Sequence, residues 1–244
     1  MEAVYTRTKT LNGNLLGFCP GCMHGTTFKL IGEVLEDLGI DDKASCILAI
    51  GCCGLAQEAV SFDLATAPHG RAAAAATGLK RSNPDTVVFT YQGDGDLASI
   101  GLAETLHAAN RGENITVIFI NNGIYGMTGG QMAPTTLTGA KTTTTPFGRS
   151  PEEHGYPMHM CELINALQAP SYIARVTAID VPNYRKAKEA VRKAFQHQLD
   201  GKGFSFVEFL SSCPTNWGLT PLEALDYIRD KVIPEFPLGE FRDR

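Results

Sequence analysis

The stretch from Thr86 to Gly123 constrains the fold of this chain most. Thr86-Val87-Val88-Phe89-Thr90 has the β-branched and aromatic make-up of a buried strand. Tyr91-Gln92-Gly93-Asp94-Gly95-Asp96 follows it. From Leu97 to Ala109, apolar residues fall at helical spacing (Leu97, Ile100, Leu102, Leu106). Ile115-Thr116-Val117-Ile118-Phe119-Ile120 reads as a second buried strand, ended by Asn121-Asn122-Gly123. Strand, helix, strand predicts an α/β unit with polar oxygens where each strand stops. In open α/β sheets ligands bind at that edge. Asp94 offers a carboxylate and Asn122 an amide oxygen, hard donors suited to Mg²⁺. Gly93 and Gly95 let backbone approach a bulky anion, and the start of the next helix presents free N–H groups to phosphate. For Gly93-Asp94-Gly95 alone, a tight turn capping a helix is the plainer reading. The Asn pair at the next strand end favours a Mg²⁺–diphosphate site.

The cysteines form a second pattern. There are seven, an odd number, mostly in Gly- and Pro-rich loops. In a reducing compartment this points to metal or redox chemistry rather than disulfides. Phe18-Cys19-Pro20-Gly21-Cys22 puts two thiols on one turn, ahead of an amphipathic helix expected over Thr26 to Leu38, with Gly39 as its stop. No strand precedes Cys19, which argues against a thioredoxin-like dithiol. Cys46 to Gly51 reads as a strand ending in Cys52-Cys53-Gly54. Cys213 follows the strand-like Phe204 to Leu210. Cys19, Cys22, one of Cys52 and Cys53, and Cys213 could therefore close a tetrahedral site. Zinc and an iron–sulfur cluster accept the same four thiolates. Cys46, within a strand, and Cys161, within a helix-like segment, read as packing.

Gly93-Asp94-Gly95, 25 residues, then Asn121-Asn122 resembles the thiamine diphosphate binding motif. The continuation Ile124-Tyr125-Gly126-Met127-Thr128-Gly129-Gly130-Gln131 resembles, more narrowly, the thiamine-binding β subunit of 2-oxoacid:ferredoxin oxidoreductases. The resemblance covers roughly residues 15–225. It implies a three-layer α/β thiamine diphosphate-binding fold with a mainly parallel sheet, and three cofactors: thiamine diphosphate, Mg²⁺ and a [4Fe-4S] cluster. By resemblance Mg²⁺ falls to Asp94, Asn122 and the carbonyl of Ile124. The cluster falls to Cys19, Cys22, Cys52 and Cys213, since Ala49-Ile50-Gly51-Cys52 aligns with the family's strand-end Gly-Cys and leaves Cys53 as a neighbour. The cofactor-binding set becomes Gly51, His69, Gly70, Gly93, Asp94, Gly95, Asp96, Asn122, Ile124, Tyr125, Gly126, Met127 and Thr128. A lone His before a helix is more often a cap or a packed residue. The family's similar His-Gly-Arg gives His69 a role in holding the diphosphate or the substrate carboxylate. Arg71 is a weaker anion-binding candidate. Met127 and Thr128 would lie beside the thiazolium, so His69 and Thr128 are the catalytic candidates. Met127 stands where some relatives carry Asn, which argues against polar catalysis there.

The implied reaction is coenzyme A-dependent oxidative decarboxylation of a 2-oxoacid to acyl-CoA and CO₂, with electrons passed to ferredoxin. The activating Glu would come from an α subunit carrying the pyrimidine-binding domain, with a γ or a ferredoxin-like δ subunit also expected. A non-oxidative thiamine-dependent decarboxylase or lyase would leave the cysteines unexplained. A zinc-stabilised scaffold subunit would leave Gly-Asp-Gly and Asn-Asn unexplained.

The remaining chain reads as scaffold. Residues 1–17 are expected as an arm, 18–232 as one thiamine diphosphate-binding domain with its cluster, and 233–244 as a partly ordered tail. A poly-Ala helix is expected over Ala72 to Leu79, and a cofactor-covering or partner-facing loop between Gly123 and Gly148. Further helices are expected over Met158 to Leu167 and Pro182 to Leu199, a strand over Tyr172 to Ile179, and a last helix opening at Thr220-Pro221-Leu222-Glu223. The 244 residues suffice for one large α/β domain. A net charge of −5 without a dense basic run excludes nucleic acid as the expected partner. The apolar runs are strand-sized, so no membrane span is expected. The start lacks the pattern of a signal peptide, and the cytoplasm is the expected location.

Overall fold

The computed structural model describes residues 6–244. The elements in chain order are α1 (His24–Asp37), β1 (Ala44–Leu48), β2 (Asp63–Thr66), α2 (Ala72–Ser82), β3 (Val87–Gly93), α3 (Leu102–Asn110) and β4 (Thr116–Asn121). A short hairpin follows, β5 (Ile124–Tyr125) and β6 (Gln131–Met132). Then come α4 (Pro151–His154), α5 (Met160–Asn165), β7 (Tyr172–Thr177), α6 (Val181–Leu199) and β8 (Ser205–Leu210). The chain closes with α7 (Pro214–Trp217), α8 (Pro221–Tyr227), α9 (Ile233–Glu235) and β9 (Gly239–Asp243).

Seven strands form one sheet in the order β2-β1-β3-β4-β8-β7-β9. All neighbours are parallel except β9, which runs antiparallel to β7. Every residue of β4, β7 and β8 is buried, which explains why β4 and β8 read as near-continuous apolar runs. Helices flank the sheet in pairs, α1 with α6 and α2 with α3, giving the three-layer α/β arrangement. In α6, Asp180 caps the first turn by accepting from Asn183 N at 2.8 Å, and Pro182 sits where no N–H is needed. Its buried stripe is Ala187, Ala190, Val191, Ala194 and Phe195. The expected start of α8 carries a full capping box, Thr220 with Glu223.

A buried ion pair links two strands of the sheet. Arg175 of β7 and Glu208 of β8 are fully buried and meet at 2.8 Å (Nε to Oε2). The guanidinium also engages Glu162 and lies against the rings of Phe236 and Phe241. The other Glu208 oxygen accepts from Asn121 Nδ2 at 2.7 Å. Removing one partner of such a pair strands a buried charge, at a cost of about 3–5 kcal/mol.

Several expectations are corrected. The stretch before residue 17, expected as an arm, lies on its own domain. Thr8, Thr10 and Leu11 are buried, Leu11 bridges Val60, and Ser61 N donates to Thr10 O at 2.9 Å. Residues 1–5 of that expectation lie outside the described residues. The 233–244 tail supplies β9, the edge strand of the sheet, pinned by Lys193 to Glu240 and Asp243 and by His197 to Asp243. β2 falls in a segment for which no strand was expected. The loop between Gly123 and Gly148 contains the β5–β6 hairpin. The helix after Asp94 opens as a π-helical turn over Gly95–Ile100, with Gly101 N bonded to Asp96 O at 2.8 Å.

Candidate functional site

From β1 the chain moves outward to β2 and then returns past β1 to β3, so the strand order reverses between β1 and β3. A crevice opens there at the carboxyl ends of the strands, the place where open α/β sheets bind ligands. Residues following β1, β3 and β4 converge on it. One pocket is lined by Ile50 to Cys53 after β1, Gly93 to Asp96 after β3, and Asn122 with Ile124 to Thr128 after β4. His24 and His69 complete it. Of the expected site residues, Gly51, His69, Gly93, Asp94, Gly95, Asp96, Asn122, Ile124, Tyr125, Gly126, Met127, Thr128 and Cys52 thus line one space. Gly70, Cys19, Cys22 and Cys213 stand outside its lining.

Asp94 is 2% exposed. Its Oδ1 accepts from Gly95 N at 2.8 Å, and its Oδ2 from Thr135 Oγ1 at 2.7 Å and Ile124 N at 3.2 Å. Burial pushes its carboxyl up to about 6, against these hydrogen bonds. Asn122, 8% exposed, accepts from the same Ile124 N–H at 3.3 Å. A buried carboxylate and an amide oxygen facing one cleft are the donor set a hard cation takes. Gly95 is glycine for a reason the sequence did not reveal. A Cβ there would lie 2.2 Å from the Tyr125 ring, whose hydroxyl donates to Gly95 O at 3.1 Å.

His69 reaches the pocket because two glycines cross beneath it. A Cβ on Gly70 would meet Gly101 N at 2.7 Å, and one on Gly101 would meet Gly70 O at 2.6 Å. Asp96 fixes this crossing. Its Oδ2 accepts from Gly70 N at 2.7 Å, and its Oδ1 from Gln92 Nε2 at 2.8 Å. His69 Nδ1 lies 2.7 Å from the same Oδ2, close enough for an ion pair but out of line for a hydrogen bond. Both Asp96 oxygens are thus engaged by protein groups. Arg71 pairs with Glu104 at 2.7 Å.

The thiols fall into two groups. Burial pushes the Cys22 thiol up to about 12, and the charges of Cys213, Cys52 and Cys19 add to the shift. Burial likewise raises Cys52 to about 11, with Cys213, Cys19 and Asp94 as its charged neighbours. Cys53 is buried beside Asp96, with Cys52 as a further charged neighbour, and it acts on Cys46 and, together with Cys22, on Tyr91. Gly126 leaves room for the first group, since a Cβ there would meet Cys52 Sγ at 3.3 Å and Cys213 Sγ at 3.6 Å. The turn around Cys19 is closed by Cys22 N to Cys19 O at 3.1 Å, and Ser212 Oγ holds Gly21 O at 2.6 Å. Among the described residues, no three His, Cys, Asp or Glu side chains close on a single metal ion.

Sequence reasoning missed three supports. His24 lines the pocket, stacks on Phe18 at 5.1 Å between centroids and bonds Tyr91 Oη at 2.8 Å; burial lowers its imidazole to about 4. Thr135 holds Asp94. Arg149, 4% exposed, gathers the loop carrying Thr135 by donating to Pro134 O, Thr136 O and Tyr156 O at 2.6–2.9 Å. The Thr-rich run was the available signal for this ordered loop.

The family of thiamine pyrophosphate enzymes, C-terminal TPP-binding domain, matches residues 49–209. The chain is 51% identical over 227 residues to ketoisovalerate oxidoreductase subunit VorA of Methanothermobacter thermautotrophicus, covering 93% of this chain and 48% of that one. It therefore spans about half the length of that relative. It is 37% identical over 213 residues to 2-oxoglutarate synthase subunit KorB of Archaeoglobus fulgidus, covering 87% of this chain and 75% of that one. Its structure is similar to 2-oxoglutarate:ferredoxin oxidoreductase from Magnetococcus marinus, solved with 2-oxoglutarate, coenzyme A and succinyl-CoA bound. The TM-score is 0.84 at 28% identity, covering 99% of this chain and 86% of that one. On the family match, these identities and the shared fold, the chain belongs to the thiamine pyrophosphate-binding subunits of the 2-oxoacid oxidoreductases.

Proposed function

We propose that this chain holds Mg²⁺–thiamine diphosphate and a [4Fe-4S] cluster for the coenzyme A-dependent oxidative decarboxylation of a 2-oxoacid, with electrons passed to ferredoxin. One observation carries the reading. The metal-type carboxylate Asp94 lines the same pocket as Cys52 and Gly126, and a Cβ on Gly126 would lie 3.3 Å from Cys52 Sγ and 3.6 Å from Cys213 Sγ. A cofactor cradle and a group of thiols are therefore neighbours, as transfer of electrons from one to the other requires.

Asp94, Asn122 and the Ile124 carbonyl would hold Mg²⁺. The N–H groups of the helical turn that follows Gly95 would meet the diphosphate. His69, aimed by the Gly70–Gly101 crossing, would meet the diphosphate or the substrate carboxylate, and Thr128 lies along the same wall. Cys19, Cys22, Cys52 and Cys213 would hold the cluster, with Gly126 leaving space for it. In a cluster each thiolate meets a different iron, so the thiols need not converge on one point as zinc would require. When bound, thiamine diphosphate supplies the carbanion chemistry and the cluster accepts electrons one at a time. The residues of this chain bind and orient, while the activating Glu comes from an α subunit, with a γ or ferredoxin-like δ subunit in the same assembly. Among the described residues no helix is long and apolar enough to cross a membrane. A cytoplasmic location is part of this proposal.

The test is anaerobic purification followed by iron, zinc and thiamine analysis and a visible spectrum. A brown protein with about four iron per chain is expected. A colourless protein with zinc and no thiamine would overturn the reading, and a colourless one with thiamine would favour a non-oxidative lyase. In the same assay Asp94→Ala should lose thiamine and keep iron. Cys52→Ala should lose iron, whereas Cys53→Ala should retain it.

A further inference from the structure

A second pocket of about 490 Å³ lies beside the cofactor cleft, within the size range of small-molecule sites. It shares only Asn122 and Ile124 with that cleft. Its walls include Trp217, Tyr227 and Phe236. Its only formally charged lining residues are Lys141 and Lys231, both exposed. Among the described residues no carboxylate lines it, although the chain carries a net charge of −5. Ser211 also lines it. That residue is 1% exposed, and its hydroxyl has no hydrogen-bond partner among the described residues. A buried polar group without a partner is costly, and a ligand that pairs it recovers that cost.

From these features we infer that the pocket binds a small organic anion. Its apolar or aromatic body lies against Trp217 and Phe236, its anionic group meets Lys141 and Lys231, and Ser211 donates to it. A pocket that pairs two cationic side chains with aromatic walls selects against neutral molecules, which gain nothing from the lysines, and against bare inorganic anions, which gain nothing from the rings. A carboxylate and a phosphate monoester satisfy the same lysines, so both remain within the class. The inference stands apart from the cofactor reading, because none of Lys141, Lys231 and Ser211 belongs to the cofactor machinery.

The test uses calorimetric titration of the intact protein with three probes: benzoate, phenyl phosphate and inorganic phosphate. Saturable binding of benzoate or phenyl phosphate is expected, at least tenfold tighter than that of inorganic phosphate. The stronger of the two organic probes identifies the anionic group. In the double variant Lys141→Met/Lys231→Met the dissociation constant should rise at least tenfold while thermal stability stays unchanged. Both lysines are exposed and make no ion pair among the described residues, so their loss leaves the fold intact. Ser211→Ala should weaken binding severalfold on its own. The proposal is overturned if neither organic probe binds saturably, if inorganic phosphate binds as tightly as they do, or if the lysine variant binds them as well as the parent.

Discussion

Asp94 shows how a single buried carboxylate links stability to pH. Its ordinary value is 3.8, and burial raises it to about 6 in the folded chain. Between those values the folded protein holds a proton that the unfolded chain has lost. Stability of the metal-free protein therefore falls as pH rises through this window, and the penalty persists above it. Asp94→Asn removes the group. In chelator, the urea midpoint of the variant relative to the parent should rise from pH 4 to pH 6.5 and then level off. A difference that stays flat with pH would show that Asp94 is not the buried acid described. Asp94 and Asn122 were legible in the sequence because a motif fixes their spacing. Thr135 and His24 were not, because their partners Asp94 and Tyr91 lie 41 and 67 residues away. The glycine at position 95 was legible as a close approach, but the group approached is the Tyr125 ring.

At the scale of elements, β3 is longer than its neighbour allows. The β3–β4 pairing starts at Phe89 opposite Thr116, so Val88 has no β4 residue beside it. The amide of Gln198 on α6 takes that place. Val88 N donates to Oε1 at 2.8 Å, and Nε2 donates to Val88 O and Thr116 Oγ1, each at 2.9 Å. Replacing it with Leu leaves two buried backbone groups unpaired, each worth about 1–3 kcal/mol. Gln198→Leu should lower the urea midpoint with an unchanged slope, by a free energy of about 2–5 kcal/mol; a change within about 0.5 kcal/mol would remove Gln198 from this role. No local pattern marks such a clamp, since an amide near a helix end reads as solvent-facing. Central strands such as β4 and β8 were legible because burial on both faces demands unbroken apolar runs. β2 and β9 were not. Both are edge strands, exposed on most residues, and Gly239–Asp243 reads as a polar tail. The π-helical opening of the segment after Asp94 also escaped, because a helix with one wider turn keeps nearly the same apolar spacing.

The whole molecule depends on its last strand. β9 covers the open edge of β7, held there by Glu240 and Asp243 on Lys193 and by Arg242 donating to the carbonyls of Asn165, Leu167 and Pro170. Truncation after Leu238 should expose β7 and convert the protein to higher-order species by light scattering, at a lower melting temperature. A truncated protein that stays dispersed at unchanged melting temperature would show that β9 is dispensable. The order of the strands also sets a timetable. β8 lies between β4 and β7, yet β7 precedes it in the chain. On the ribosome, residues 172–177 emerge with every side chain destined for burial, Arg175 among them, before the strand that will seat them exists. The first half of the sheet, β1 to β4, can assemble as it leaves the exit tunnel, but β7 must wait for residues 205–210 and then for β9. A nascent chain therefore passes through a stretch of synthesis in which a strand meant for the interior stands outside the exit tunnel without its partner, where a chaperone can reach it.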